Sequence, residues 1–416
     1  MRRVLMVCYY FPPLGGIGSL RALKFATYLP EFGWEPTVLS PRDGAYYRDP
    51  SLVFPERKVV RTGSLEISRV GKRALRLEGD DTHAAPVGGV LGRVRELVRR
   101  WIYRPDAQIG WYPLALRGGR RAAREQRFDV VFSTSFPITA HLIARKLSAE
   151  FGVPWVAEFR DLWTDLARYD SARRRRRDEA TERSVLEAAT EVVSVSQDWS
   201  ELLLSRGARR VSVVTNGFDP EDFPAAADPA RPTATYVGTY YPDRQDLVTG
   251  LRALGSLVRT GLLPRLTVRF VGSLRPGVRE LLEAVGLSAS FECTGQIPHR
   301  EALRHMREST LLLLAGPSMA ASQAPALRGN IAGKVFEYLG SDRPILYVGD
   351  KDADIARLLT PFAGVAFVRP GDTRGAEEAI VSLLAAGSPV GRTGVNQYTR
   401  RSLTQRLAQC LERASV

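Results

Sequence analysis

Short apolar runs alternate with helix-patterned stretches along almost the whole chain, and that alternation is met by parallel sheets covered with helices on both faces. In the first half the strand-like runs are residues 4–7, 35–39, 129–133, 154–158, 192–195 and 211–214. The pattern breaks at Thr215-Asn216-Gly217-Phe218-Asp219-Pro220 and resumes with runs at residues 234–239, 266–271, 290–293, 310–314, 344–348 and 365–368. A chain of 416 residues exceeds what one hydrophobic core usually serves, so two domains are expected. The predicted architecture is α/β, with two Rossmann-like, doubly wound parallel sheets. The boundaries that follow are residues 1–222, a linker over 223–232, a second domain over 233–394, and a segment 395–416 packing back toward the first domain. Tyr398, Leu403, Leu407 and Leu411 give that last segment helical spacing. Residues 42–127, rich in Gly, Pro and Arg, read as loops and small helices.

Two glycine-bearing loops follow strands, which is where doubly wound sheets bind ligands. The first carries Gly15, Gly16 and Gly18, then Ala22, Phe25, Ala26 and Leu29 at the spacing of an amphipathic helix that Gly33 stops. It lacks the G-x-G-x-x-G pattern, and no acid stands about twenty residues on, which disfavours a standard dinucleotide site. The second is Gly329-Asn330-Ile331-Ala332-Gly333-Lys334-Val335-Phe336-Glu337, read as a loop opening a short helix with Lys334 and Glu337 on one face. Free N–H groups at a helix N-terminus favour an anion, and a carboxylate one turn later can accept two hydrogen bonds from a sugar diol. A solvated Lys–Glu pair has the same spacing, so the pattern needs support from the rest of the chain.

The formal charge of +14 implies attraction for anions, although an arginine-rich composition also arises from codon usage alone. The run Arg173 to Arg177 reads as a solvated loop entering a helix. A second basic stretch, Arg93 to Arg104, mixes cations with Trp101 and Tyr103. It reads as an amphipathic surface helix, as a peripheral contact with an anionic membrane, or as a contact for an acidic acceptor. No recognised nucleic-acid motif accompanies the charge, so nucleic acid is not an expected partner. Three widely spaced cysteines make neither a disulfide framework nor a metal quartet; with no long apolar run and no cleavage site near the start, a cytoplasmic location is expected. His83, His299 and His305 show no spacing for metal or triad chemistry.

Five marks in order carry a resemblance to a known family. They are Phe11-Pro-Pro-Leu-Gly-Gly-Ile-Gly-Ser-Leu-Arg21, Ala157-Glu-Phe-Arg-Asp-Leu-Trp163, Val214-Thr-Asn-Gly-Phe-Asp219, Tyr236-Val-Gly-Thr239 and Gly333-Lys-Val-Phe-Glu-Tyr-Leu339. Together they resemble the GT-B retaining glycosyltransferases, specifically glycosyltransferase family 4. The resemblance implies two Rossmann-like domains facing a cleft, the acceptor mainly on the first and the donor nucleotide mainly on the second. It implies transfer with retention, no metal, and no cofactor beyond a nucleotide-diphosphate sugar as co-substrate.

Carried over by position, Glu337 resembles the second glutamate of the family's E-x7-E motif, the one expected to bond the ribose. The first would fall at Gly329, where no carboxylate exists; backbone N–H groups of Gly329, Asn330 and Ile331 are the expected substitute. The family's two diphosphate cations after Gly238 are replaced by Thr239 and Gln245, leaving Arg244 and Lys334 as candidate phosphate cations, each of which also reads as a plain surface residue. Gly15, Gly16, Gly272, Gln296 and Ile297 complete the expected donor set.

Catalytic candidates are His141, Arg160 and Asp161. His141 lies roughly 200° around its helix from Ile143, opposite the stripe formed with Leu147, and so off the packing face. It reads as a site residue or as a structural histidine. Arg160 and Asp161 follow a strand; Asp161 accepts a bond from the acceptor or orients His141, or the two form a loop-fixing pair. Tyr10, Phe11 and Trp163 are candidate stacking surfaces for an acceptor. The expected function is retaining transfer of a sugar to a lipid-linked, glycan or secondary-metabolite acceptor; the alternative is a sugar-nucleotide-binding module on the same fold.

Overall fold

In the computed structural model, residues 1–42, 44, 48–65, 104–165, 169, 171–225, 229, 231–275 and 277–416 are described. Within this set the chain divides into two compact units. The first comprises Met1–Val195, Ser200–Val214 and Thr404–Val416; the second comprises Ser196–Trp199 and Thr215–Leu403.

The first unit is built on a 7-stranded sheet in the order β3-β2-β1-β4-β5-β6-β7. Its strands are β1 Arg2–Val7, β2 Trp34–Pro41, β3 Val59–Thr62, β4 Val130–Ser135, β5 Trp155–Phe159, β6 Glu191–Ser194 and β7 Val211–Val213. Every pairing is parallel, and the strand order reverses direction between β1 and β4, where Val4 sits opposite Val130. The expected region of loops over residues 42–127 is corrected here. It contains β3 and a 14-residue helix, Tyr112–Glu125. Gly118 and Gly119, which read as loop signals, lie inside that helix where it passes close to its neighbours. A Cβ at 118 would stand 2.4 Å from Thr62 Cγ2, and one at 119 would stand 2.5 Å from Leu147 Cδ1. A second correction concerns the arginine run. Residues 173–177 lie within the helix Ala172–Ala188, because the Ser171 hydroxyl accepts from Arg174 N–H and caps the helix just before them. His83 and residues 93–103 of the basic, aromatic stretch lie outside the described residues, as do residues 226–228 and 230 of the expected linker.

The second unit has a 6-stranded parallel sheet in the order β10-β9-β8-β11-β12-β13. The strands are β8 Thr233–Val237, β9 Thr267–Val271, β10 Phe291–Cys293, β11 Leu311–Ala315, β12 Ile345–Val348 and β13 Val365–Val368. Alternation along β11 divides the interior into two layers. Leu311 and Leu313 pack with Leu251, Leu254 and Ile380 on one face, while Leu312 and Leu314 pack with Val335, Phe336 and Leu339 on the other. Each of these buried leucines contributes about 1.5–3 kcal/mol relative to exposure, which fixes the register of the central strand. Here the order reverses between β8 and β11, where pairing runs only through Ala234 and Thr235. Both sheets therefore carry a topological switch point of the kind at which open α/β sheets take ligands. Among the described residues no helix is long and apolar enough to cross a membrane.

Candidate functional site

At the second unit's switch point, β8 and β11 separate beyond Thr235, and a tyrosine enters the gap. The Val237 N–H donates to Tyr338 Oη at 2.9 Å, and the Tyr338 hydroxyl donates to the Leu313 carbonyl at 3.3 Å. This pins the helix Lys334–Ser341 across the strand ends and sets the positions of Lys334 and Glu337. Lys334 Nζ donates to the Val237 carbonyl at 2.8 Å and lies 3.8 Å from the centre of the Tyr236 ring. Burial lowers its ammonium to about 7. A Cβ at Gly238 would be 3.8 Å from the same Nζ, so the lysine lies beside an exposed, side-chain-free stretch of backbone.

Glu337 is buried, at 6% exposure, and His299 Nε2 stands 2.8 Å from its Oε1. Burial alone would raise the carboxyl, but the hydrogen bond and charge of His299, with Arg400 behind, hold it below the usual range. Burial likewise works against a charged His299, and the bond and charge of Glu337 outweigh it and raise the ring above its ordinary value. His299 opens the helix His299–Arg307, and its role was not visible in the sequence, where nothing in spacing links it to Glu337.

The remaining donor-set residues fall as follows. Gly272 directly follows β9, at φ 133, and a Cβ there would meet the Gly238 carbonyl oxygen at 3.0 Å; only glycine lets the backbone just beyond β8 and β9 approach so closely. Thr239 is partly buried, and its carbonyl accepts from the Tyr236 hydroxyl at 3.2 Å. Gln296 is exposed beyond β10, and Ile297 is partly buried and packed against the core. Arg244 is 45% exposed, with Asp243 at 3.4 Å. Its loop is tied down by Ser318 N–H to the Arg244 carbonyl at 2.8 Å and by Gln245 Nε2 to the Ala315 carbonyl at 3.4 Å. Arg275, which the sequence did not single out, is exposed and stacks on the exposed Tyr241 ring at 4.3 Å.

Gly329 is buried and Asn330 exposed, while the Ile331 side chain belongs to the core. A Cβ at 329 would lie 2.5 Å from Trp199 Cδ1 and 2.9 Å from Asp198 Cβ. Trp199 Nε1 donates to the Ala326 carbonyl at 2.8 Å, and the Asp198 carboxylate bonds both Arg328 and Arg357. A larger residue at 329 would have to displace this brace.

In the first unit, Gly15 and Gly16 lie between β1 and the helix Ile17–Tyr28, with Gly16 as its N-cap at φ 85. Arg160 donates from Nε to the Ser135 carbonyl at 2.7 Å and from Nη2 to the Phe136 carbonyl at 3.3 Å. Its Nη1 would be 2.6 Å from a Cβ at Gly18, so the guanidinium rests on the first turn of that helix. Asp161 is exposed, and no ion pair joins it to Arg160 among the described residues.

The expected placement of His141 off the packing face is corrected: it has 0% exposure. Its helix, Thr139–Phe151, is covered by β4 and β5 on one side and by the helices Tyr112–Glu125 and Ala172–Ala188 on others, so nearly all of its first turn is enclosed. Trp155 Nε1 donates to Ser133 Oγ at 2.8 Å, which leaves the Ser133 hydroxyl to donate to His141 Nδ1, also at 2.8 Å. Desolvation, with Arg160 adding to it, lowers the His141 ring to about 3, and its Nε2 has no partner among the described residues. The expected stacking surface is corrected as well. Phe11 is fully buried edge-to-face with Phe54 at 5.2 Å, and Trp163 is 4% exposed, while Tyr10 alone of the three is partly accessible.

Two doubly wound parallel sheets, each with glycine-bearing segments at its switch point, define the GT-B class. Within that class the chain is similar to glycosyltransferase family 4, the model for Glycosyltransferase Family 4 matching residues 18–222. Its fold is shared with sucrose-phosphate synthase from Thermosynechococcus elongatus at 14% identity and a TM-score of 0.55, covering 100% of this chain and 96% of that one. The lipopolysaccharide outer core galactosyltransferase WaaB in its apo form gives 12% identity and a TM-score of 0.58, with 100% of both chains covered. Anabaena HepE in complex with UDP gives 15% identity and a TM-score of 0.56, covering 100% of this chain and 97% of that one. At such identities the likeness is one of fold. No match is found among curated proteins.

Proposed function

We propose that this protein is a retaining glycosyltransferase that takes a nucleotide-diphosphate sugar on its second unit and transfers the sugar to a hydroxyl acceptor on its first. The observation that carries the reading is the pinned helix at the β8/β11 switch point, which sets the buried Glu337 carboxylate and the Lys334 cation on one short element beside Gly238. Glu337 Oε1 is committed to His299, and Oε2 is the acceptor for a ribose hydroxyl. Lys334 and Arg244 are the cations for the diphosphate. The structure of HepE with UDP supports a nucleoside diphosphate at this kind of fold.

In the reaction the bond from the anomeric carbon to the phosphate oxygen breaks and a bond from that carbon to the acceptor oxygen forms on the same face. The acceptor proton passes to the departing phosphate. A separate strong protein base is then unnecessary, and electrostatic stabilisation of the leaving diphosphate dominates. The protein supplies this through Lys334 and Arg244 without a metal. Arg160 and exposed Asp161 are assigned to acceptor orientation in the first unit; His141, being enclosed, is assigned to holding the β4 and β5 ends in place.

A second reading, a sugar-nucleotide-binding module, is favoured by one observation. Position 329 lacks a carboxylate and is closed against Trp199 and Asp198, which removes an acid that would contact the donor sugar. Calorimetry of the full chain against UDP, GDP and dTDP tests the binding reading: one nucleotide is expected to bind, and the Glu337→Ala protein to bind it at least tenfold more weakly. Equal binding by the variant would place the donor elsewhere. Incubation of the matching nucleotide sugars with acceptor mixtures then separates the two readings. Release of nucleotide with an anomerically retained product, read by NMR, supports transfer, and binding without turnover supports the module.

A further inference from the structure

His299 took no part in the expected donor set, yet among the described residues it is the only hydrogen-bond partner of the Glu337 carboxylate. We infer that His299 is a positioning residue for nucleotide recognition, holding Glu337 through Nε2 and coupling nucleotide affinity to the proton on its own ring. The inference rests on the reading of the second unit as the nucleotide site.

A buried carboxylate with one fixed oxygen presents the other in a defined direction, whereas a carboxylate without that bond would rotate and blur the acceptor geometry. The two side chains come from different helices, so the bond also locks the start of His299–Arg307 onto Lys334–Ser341. An imidazolium at a helix N-terminus is disfavoured by the helix dipole, so Glu337 is what sustains the charge. The ring is also faced by Arg400, at the start of the last helix, which opposes protonation, and by Asp222, in the turn Pro220–Asp222, which favours it. With these contributions the ring titrates above its ordinary value.

Two effects give the direction of the coupling. The imidazolium always has an N–H for Glu337, while the neutral ring has a single N–H that must be kept on Nε2 rather than Nδ1. Loss of the proton also leaves the pair with a net negative charge close to a ligand whose diphosphate bridge is itself an anion. Affinity is therefore highest below the raised pKa of His299 and declines as pH rises through it, by at most about tenfold per pH unit.

The test uses the full chain and UDP-glucose, GDP-mannose and dTDP-glucose, whose diphosphate bridges keep a constant charge between pH 6 and 9. Lys334 also titrates near neutrality, so the measurement is made in the Lys334→Met background with and without His299→Gln, whose amide can donate to Glu337 but cannot take up a proton. The Lys334→Met protein is expected to lose roughly three- to tenfold in affinity from pH 6 to 9, and the double variant less than twofold. An equal slope in the two proteins, or a slope of opposite sign, overturns the inference. NMR of the His299 ring gives an independent arm that needs no nucleotide: its titration midpoint should fall when Glu337 is replaced by Gln. An unmoved midpoint rules out the pair itself. A shifted midpoint with nucleotide affinity independent of pH overturns the coupling while leaving the donor site intact, and failure of all three nucleotide sugars to bind the unsubstituted chain removes the donor site instead.

Discussion

The two units share a parallel, doubly wound sheet and a switch point, but they treat the side chains there in opposite ways. In the first, His141, Phe11 and Trp163 are drawn inward and enclosed. In the second, Gly238, Gln296 and Asn330 remain exposed around a lysine and a carboxylate held by specific partners. Topology decides where strand ends gather. Whether a side chain placed there meets solvent depends on how completely the next helix is covered. The helix Thr139–Phe151 has the sheet and two helices around it, whereas Lys334–Ser341 is anchored through Tyr338 at the strand ends.

The largest effect that separates the two regions is expected at Trp163. If it is a packing residue, Trp163→Ala costs about 3–5 kcal/mol in denaturant unfolding. A loss confined to turnover, with stability unchanged, would restore it to an acceptor surface. In the second unit, Glu337→Ala is expected to weaken nucleotide binding by about 2 kcal/mol, roughly thirtyfold by calorimetry.

The enclosed His141 gives an acid-sensitive stability of comparable size. Its folded pKa of about 3 lies below the ordinary 6.5 of the unfolded chain, so between those values the unfolded state binds the extra proton and stability falls as pH falls. At pH 5 this amounts to about 2 kcal/mol, and the difference between urea midpoints at pH 7 and 5 should shrink in His141→Gln. An unaltered difference would mean that the ring is hydrated in solution. The smallest effect is expected at half-exposed Arg244, where Arg244→Ala should cost about 1 kcal/mol for a nucleoside diphosphate and nothing for the nucleoside. Equal losses for both ligands would move Arg244 away from the phosphates.

Much of the sheet architecture was legible because its strands are apolar runs bounded by turn residues, as in Leu311–Ala315. Edge strand β3 was not: Val-Val-Arg-Thr is only 4 residues long and largely half-buried, so neither length nor alternation marks it. The helix Tyr112–Glu125 was hidden by glycines that serve close packing rather than turns. At the site, Lys334 and Glu337 could be read because their relation is local, set by helical spacing. His299 and Trp199 could not, since the first meets Glu337 across 38 residues of chain and the second meets position 329 only after folding. His141 was misread because a helical wheel assumes one buried face, and its helix has more than one.

The interleaving of the chain between its two units bears on how the protein can be divided. Severing it within residues 223–232 would not yield two self-sufficient fragments. The leading fragment would be deprived of Thr404–Val416, including Arg413, which clasps Glu191 and Ser212 at 2.6 and 3.0 Å. The trailing fragment would forfeit Ser196–Trp199, and with it the indole and carboxylate that support Ala326, Arg328 and Gly329. Each half completes the other, so a proteolytic nick there should leave the pieces associated, and separate expression should give two poorly folded polypeptides.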